Sequence, residues 1–312
     1  MEVLKVDNIV KRYKELVALD HLSISVDEGE VFGLLGPNGS GKSTLINCIL
    51  SLLTYSEGDV KVFGEEIRPD SYAVKRKIGV VPQNVAVFDE LTVRENVDFF
   101  CGLYVKDKAE RKACVDEAIE FVGLEEFTSF RPRKLSGGLL RRLNIACGIA
   151  HRPQLIFMDE PTVAVDPQSR NKILEGILKL NEAGATIVYT SHYMEEVEKI
   201  CSRIAIIDKG RTIAVGTNDD LKGLISTSEK VRVEILGLSN EAIEAVKAQP
   251  HVLTVDYRDN HLNVTYGGGT HNLIRLLDYL KTSDISFGRV YSEVPTLNDV
   301  FLEITGKELR DQ

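Results

Sequence analysis

The stretch Gly36-Pro37-Asn38-Gly39-Ser40-Gly41-Lys42-Ser43 constrains this chain more than any other. It has the form G-x-x-x-x-G-K-[ST] and stands between the apolar run Val31-Phe32-Gly33-Leu34-Leu35 and the helical pattern Thr44-Leu45-Ile46-Asn47-Cys48-Ile49-Leu50. A short run with no polar member reads as a strand covered on both faces, which belongs in a mostly parallel sheet flanked by helices. Between strand and helix, glycines let the backbone turn so that successive N–H groups point inward at phosphate oxygens. The helix N-terminus adds the positive end of its dipole. Such a loop, from Gly36 to Thr44, is expected to cradle a nucleoside triphosphate. Lys42 then reaches the β- and γ-phosphates, and the Ser43 hydroxyl binds Mg²⁺.

A second signal lies at Leu155-Ile156-Phe157-Met158-Asp159-Glu160. Its apolar residues form a buried strand that delivers two carboxylates at its C-terminal end, where open α/β sheets place their sites. Asp159 is expected to hold Mg²⁺ through water, and Glu160 to polarise an attacking water. A third is Leu135-Ser136-Gly137-Gly138, which opens a helix with Ser136 at its N-cap. Two readings stand side by side here. The serine is a plain cap, or the glycines behind it make a second anion-binding terminus.

Strand patterns at Val3–Val10, Leu22–Val26 and Val60–Phe63 precede a helical block from about Leu91 to Ala150. In that block Thr92-Val93-Arg94-Glu95 has the form of a capping box, and another helix runs near Ala109 to Val122. Strand runs return at Leu155–Met158, Ala185–Tyr189 and Ile204–Ile207, with a helix from about Ser169 to Asn181. We therefore read residues 1–227 as one α/β domain carrying a helical insertion at about 84–151. Residues 228–312 read as a smaller α+β domain, with the boundary near Ser228. Val231–Ile235, Ala242–Ala248, Leu253–Asp256, Leu262–Tyr266, Leu273–Leu280 and Ser286–Tyr291 suggest the β-α-β-β-α-β order of a ferredoxin-like domain. A final helix carries the stripe Leu297, Val300, Phe301 and Ile304, read as packing.

The net charge of −9 argues against a nucleic-acid partner held by a general positive field. No run of about 18 apolar residues occurs, so nothing is expected to span a bilayer. The N-terminus alternates apolar and charged residues, which reads as a strand rather than a signal segment. Cys48, Cys101, Cys114, Cys147 and Cys201 are scattered and never spaced C-x-x-C, so we expect reduced, buried thiols.

From about Tyr13 to His192 these residues resemble the ABC transporter ATPase family, a P-loop NTPase fold. Leu135–Gly138 is similar to its signature motif. The resemblance implies that two subunits, in a homodimer or heterodimer, sandwich two ATP molecules, each signature capping the nucleotide on the other. Tyr13 resembles the aromatic that stacks on adenine. Gln83 resembles the Q-loop glutamine that senses Mg²⁺ and the attacking water. Asp166, in Val163-Ala164-Val165-Asp166, resembles the D-loop aspartate, and His192 the switch histidine on the γ-phosphate. Without the family, Tyr13, Gln83 and His192 would read as ordinary exposed residues.

Two positions depart from the family pattern. Leu139 stands where the signature has Gln, and Ala164 where the D-loop has Gly. If the backbone at 164 needs φ > 0, alanine costs of order 1 kcal/mol there. The tail from Pro295 to Lys307 resembles daunorubicin-resistance-type ATPases, as do Leu140-Arg141-Arg142-Leu143 and Asp166-Pro167-Gln168-Ser169-Arg170. The resemblance therefore implies ATP hydrolysis that powers export of a drug, lipid, other small molecule or ion. The chain would lie peripherally on the cytoplasmic face, joined to integral membrane permease subunits. The alternative is a soluble ABC-type ATPase with a non-transport role. The translation type normally carries two such modules, and the chromosome type a long coiled coil where Thr44 to Leu135 leaves no room for one.

Overall fold

A computed structural model describes residues 1–225 and 229–305. Its contacts divide into two compact units, Met1–Asn218 and one beginning at Asp219. The boundary expected near Ser228 lies outside the described residues, and the compact units part earlier in the chain.

The first unit holds two sheets. One is antiparallel, in the order Leu16–Asp27, Glu2–Tyr13, Glu57–Val62, Glu65–Glu66. The other runs Arg211–Gly216, Arg203–Asp208, Val31–Leu35, Thr186–Ser191, Leu155–Asp159, Ile78–Val81. All its pairings are parallel except the hairpin of the first two strands. Residues of Val31–Leu35 and Leu155–Asp159 are buried almost throughout, as their unbroken apolar runs require. Leu4, Ile9 and Val60 from one sheet share a core with Phe32, Leu34 and Phe157 from the other, and Leu45 and Ile49 of the helix Lys42–Ile49 join it. On the opposite face the chain comes close. A Cβ on Gly33 would stand 2.9 Å from Cys201 Sγ and from Val197 Cγ1, so the helix Met194–Ile200 lies tight on the strand.

The stretch 84–151 carries the helices Val93–Gly102, Lys108–Phe121 and Gly137–Ile149. Each begins at a side-chain cap. Thr92 and Glu95 form both halves of the capping box, Asp107 accepts from Ala109 N and Glu110 N, and Ser136 accepts from Leu139 N. The five cysteines are free and buried.

The second unit has the β-α-β-β-α-β order. Its strands Glu229–Glu234, Val252–Arg258, His261–Tyr266 and Val290–Glu293 lie in the order fourth, first, third, second, all antiparallel. Val231, Val233, Leu262 and Val264 pack with Val246 of the helix Asn240–Lys247 and with Leu276 and Leu280 of the helix Asn272–Thr282. The last strand starts at Val290 rather than at the expected Ser286. Its partner Glu234 bonds backbone to backbone with Gly288 and Arg289, and the regular ladder begins only with Val290 opposite Val233. In the helix Leu297–Thr305, Leu297, Val300 and Phe301 are buried, while Ile304 is 37% exposed, so the stripe is shorter than its spacing suggested. Gly306 and Lys307, the end of the tail pattern, lie outside the described residues.

Candidate nucleotide site

Four neighbouring parallel strands end near one level, and the residues that follow them build the site. Val81 pairs with Met158, Asp159 with Thr190, and Leu35 with Ser191. Gln83, Glu160, His192 and Gly36 come one or two residues after those ends. The sheet order thus gathers residues spread over more than half of the chain at the C-terminal edge of the sheet.

Lys42, 5% exposed, is the first residue of its helix, and its Nζ turns back into the loop. Nζ donates to Gly36 O at 2.7 Å and Pro37 O at 3.2 Å, and lies 3.6 Å from Glu160 Oε1. Burial lowers the Lys42 pKa, against the opposing pull of Glu160 and Asp159. The buried Glu160 carboxylate also stands 3.3 Å from His192 Nδ1 and accepts from Gln83 Nε2 at 3.0 Å. Lys42, Gln83, Glu160 and His192 therefore form one cluster around a single carboxylate.

Glu160 sits at φ 46°, a left-handed conformation that a non-glycine residue holds only when its surroundings impose it. Here Thr190 imposes it. Glu160 N donates to Thr190 Oγ1 at 2.9 Å, and that hydroxyl donates to Asp159 Oδ1 at 2.6 Å. One side chain on the next strand thus fixes both acidic residues. Ala164 is also left-handed, at φ 58°, so the strain considered for alanine in place of glycine is present.

The loop tolerates no side chain at two of its glycines. A Cβ on Gly36 would fall 2.2 Å from Ile207 O, and one on Gly41, at φ 109°, 2.8 Å from Ala18 O. Pro37 is half-buried, Asn38 and Gly39 are exposed, and Ser40 is buried. Ser43 and Thr44 occupy the first helical turn, Ser43 exposed. Ser43 offers a hydroxyl, Asp159 a carboxylate and Gln83 an amide oxygen. This hard oxygen set suits Mg²⁺, which keeps its remaining positions for water and phosphate.

The other expected residues stand apart from the cluster. Tyr13 is 43% exposed, with Lys11 Nζ 4.8 Å from its ring centroid. The Ser136 hydroxyl accepts from Leu139 N at 3.3 Å, as a helix cap does, and Leu135 is half-buried. Gly137 has open space where a Cβ would be, whereas a Cβ on Gly138 would meet Ser169 Oγ at 2.6 Å and Asp166 Oδ2 at 3.2 Å. The helix Gly137–Ile149 therefore starts against the N-terminus of the helix Pro167–Glu182. Asp166 caps the helix Pro167–Glu182, and hydrogen bonds from Ser169 hold its carboxyl below the usual range.

Among the buried polar residues at this edge, the sequence reading gave no role in the site to Arg141, Asn144 and Glu196. Arg141 Nη1 donates to Gln83 O at 2.6 Å, Asn144 Nδ2 donates to Pro82 O at 3.1 Å, and Asn144 Oδ1 accepts from Ala86 N at 3.0 Å. The helix Gly137–Ile149 thereby grips the backbone around Gln83. The available signal was the single polar residue Asn144 inside the otherwise apolar run Leu143-Asn144-Ile145-Ala146, and Arg141 and Glu196 carried none.

Comparison with known proteins decides what carries this edge. Residues 19–163 match the pattern of the ABC transporter family, and residues 216–305 that of the ATP-binding protein DrrA1-3-like C-terminal domain. The linearmycin resistance ATP-binding protein LnrL of Bacillus subtilis (strain 168) is 39% identical over 99% of this chain and 100% of its own length. The chain belongs to the ABC transporter family of ATP-binding proteins. It is an ABC ATPase, an ATP-hydrolysing transporter subunit. The Nod factor export ATP-binding protein I of Sinorhizobium fredii (strain NBRC 101917 / NGR234) is 34% identical over 99% of this chain and 87% of its own. Among solved structures, the dimeric post-hydrolysis state of the ATP-binding cassette MJ0796 bound to ADP and Pi superposes with a TM-score of 0.64. It is 31% identical and covers 69% of this chain and 98% of that one. No helix among the described residues of this ABC ATPase is long and apolar enough to cross a membrane.

Proposed function

We propose that this ABC ATPase powers export through a separate membrane permease, working as a pair of ATPase subunits on the cytoplasmic face. The observation that carries this reading is the match through both compact units to ATP-binding proteins of linearmycin resistance and Nod factor export.

In this reading ATP lies on Gly36–Thr44 with its adenine against Tyr13. The β- and γ-phosphates replace the loop carbonyls as partners of Lys42, in charge-assisted contacts stronger than neutral ones. Ser43, Asp159 and Gln83 would hold Mg²⁺, which when bound draws charge from the phosphate oxygens. Once phosphate has taken up Lys42, the Glu160 carboxylate turns to the attacking water, and His192 steadies the γ-phosphate. Ser136 and the glycines of a second subunit close over that phosphate, and Asp166 reaches towards the opposite site. Positioning and charge stabilisation account for most of the catalysis.

Light scattering on Glu160→Gln protein tests the reading. A dimer that forms only with Mg-ATP, without hydrolysis, is the expected result. Protein that stays monomeric in both conditions would overturn the pairing of like subunits.

A further inference from the structure

Glu196 is an acid 3% exposed on the helix Met194–Ile200, outside the cluster around Glu160. A buried carboxylate is costly unless hydrogen bonds replace its water, and here three hydroxyls do so at one oxygen. Glu196 Oε2 accepts from Tyr189 Oη at 2.6 Å, Thr162 Oγ1 at 2.8 Å and Ser191 Oγ at 2.9 Å. Arg170 Nε lies 3.4 Å from Oε1.

These partners come from two functional segments. Thr162 lies two residues after Glu160 and four before Asp166, and Arg170 is in the first turns of the helix that Asp166 caps. Ser191 directly precedes His192, and its hydroxyl also accepts from Tyr193 N at 2.9 Å, so both neighbours of His192 are tied down. The Tyr193 ring is 4.1 Å from the His192 ring and 4.7 Å from the Arg170 guanidinium. The links through Ser191, Tyr189, Thr162 and Arg170 meet at Glu196, beside the direct contacts of Glu160 with Thr190 and His192.

We propose that Glu196 is a positioning residue for ATP hydrolysis. It ties the His192 segment to the segment that follows Glu160, so that His192 meets the γ-phosphate in one geometry relative to Glu160. This rests on the roles given above to Glu160 and His192. Glu196→Gln keeps the size of the side chain but brings an amide N–H among groups that all donate to this site. A general loss of folding would lower the rate whatever stands at position 192. A positioning role acts only while His192 is there to be positioned.

The experiment is a steady-state ATPase measurement on the full chain with Glu196→Gln, His192→Ala and the double variant. Glu196→Gln should lower kcat about tenfold with KM for ATP within about threefold, and add less than about twofold in the His192→Ala background. An equal loss in both backgrounds, or a Glu196→Gln kcat within about twofold of the parent, would overturn the proposal. A full rate for His192→Ala would remove the His192 role and this one with it. A low rate for His192→Ala beside a full rate for Glu196→Gln removes this one alone. If Glu196→Gln does not fold, Thr162→Val and Thr162→Ser take its place. The valine should lower kcat without moving KM and the serine recover it, and equal rates for the two would count against the proposal.

Discussion

Lys42 is buried, and desolvation of its ammonium outweighs the help it receives from Glu160 and Asp159, so its pKa is lowered. The nucleotide-free protein therefore carries an unfavourable charge that the phosphates of ATP would satisfy. Removing the two partners should have unequal effects. Glu160→Gln leaves Lys42 buried without its nearest opposing charge and should cost about 1–3 kcal/mol of stability. Lys42→Met takes away the desolvated charge itself, while Gln83 and His192 remain beside Glu160, so it should cost less. Urea titrations of both variants without nucleotide check the order, and a larger loss for Lys42→Met would contradict it. At this scale the chain is readable where the chemistry demands a residue type, as at Gly36, Gly41, Lys42, Asp159 and Glu160. Glu196 and Asn144 are different. An acid or an amide in a helix looks alike in sequence whether it faces solvent or a buried hydroxyl, and only the packing of other segments decides.

The helix Gly137–Ile149 joins the signature at one end to the backbone of residues 82–86 through Arg141 and Asn144. Pro82–Ala86 forms no strand or helix and runs from half-buried to exposed, so side chains or water satisfy its backbone groups, and here Arg141 and Asn144 do so. Asn144→Ala leaves Ala86 N without its partner and Pro82 O with the 3.4 Å donation from Arg141 Nη1. The Ala86 amide should then exchange hydrogen about tenfold faster or more, the equivalent of losing about 1.4 kcal/mol, while amides in the middle of the helix keep their protection. Equal acceleration along the helix would mean that the helix itself had loosened. Elements with strong local signals were legible in the sequence: the Thr92 capping box, the Ser136 cap, and the strand and helix on either side of the phosphate loop. The short strand Ile78–Val81 was not read, nor was the joining of the strands at Val3–Val10, Leu22–Val26 and Val60–Phe63 into one antiparallel sheet. Four residues carry too little periodicity to stand out. Glu2–Tyr13 and Leu16–Asp27 form a hairpin across the turn at Lys14 and Glu15, but the pairing of Glu2–Tyr13 with Glu57–Val62 is set by contacts distant in sequence.

Each compact unit has its own core. That of the first runs from Val3 to Ile207, and that of the second from Val231 to Leu280. Each also has its own complete sheet arrangement, and the β-α-β-β-α-β order read from the later strands closes without borrowing a strand from the first unit. Every residue assigned above to nucleotide, metal or signature lies between Tyr13 and His192, within the first unit. A chain ending at Asn218 should therefore bind ATP with a Kd within about threefold of that of the full chain, since tenfold would correspond to about 1.4 kcal/mol of lost contact. Titration of both proteins with Mg-ATP, alongside circular dichroism to compare their folding, decides the matter. A folded fragment that binds ATP more than about tenfold weaker would place part of the nucleotide's binding energy in residues after 218. Equal binding would leave the second unit free of the nucleotide and turn the search for its role to dimer formation and regulation.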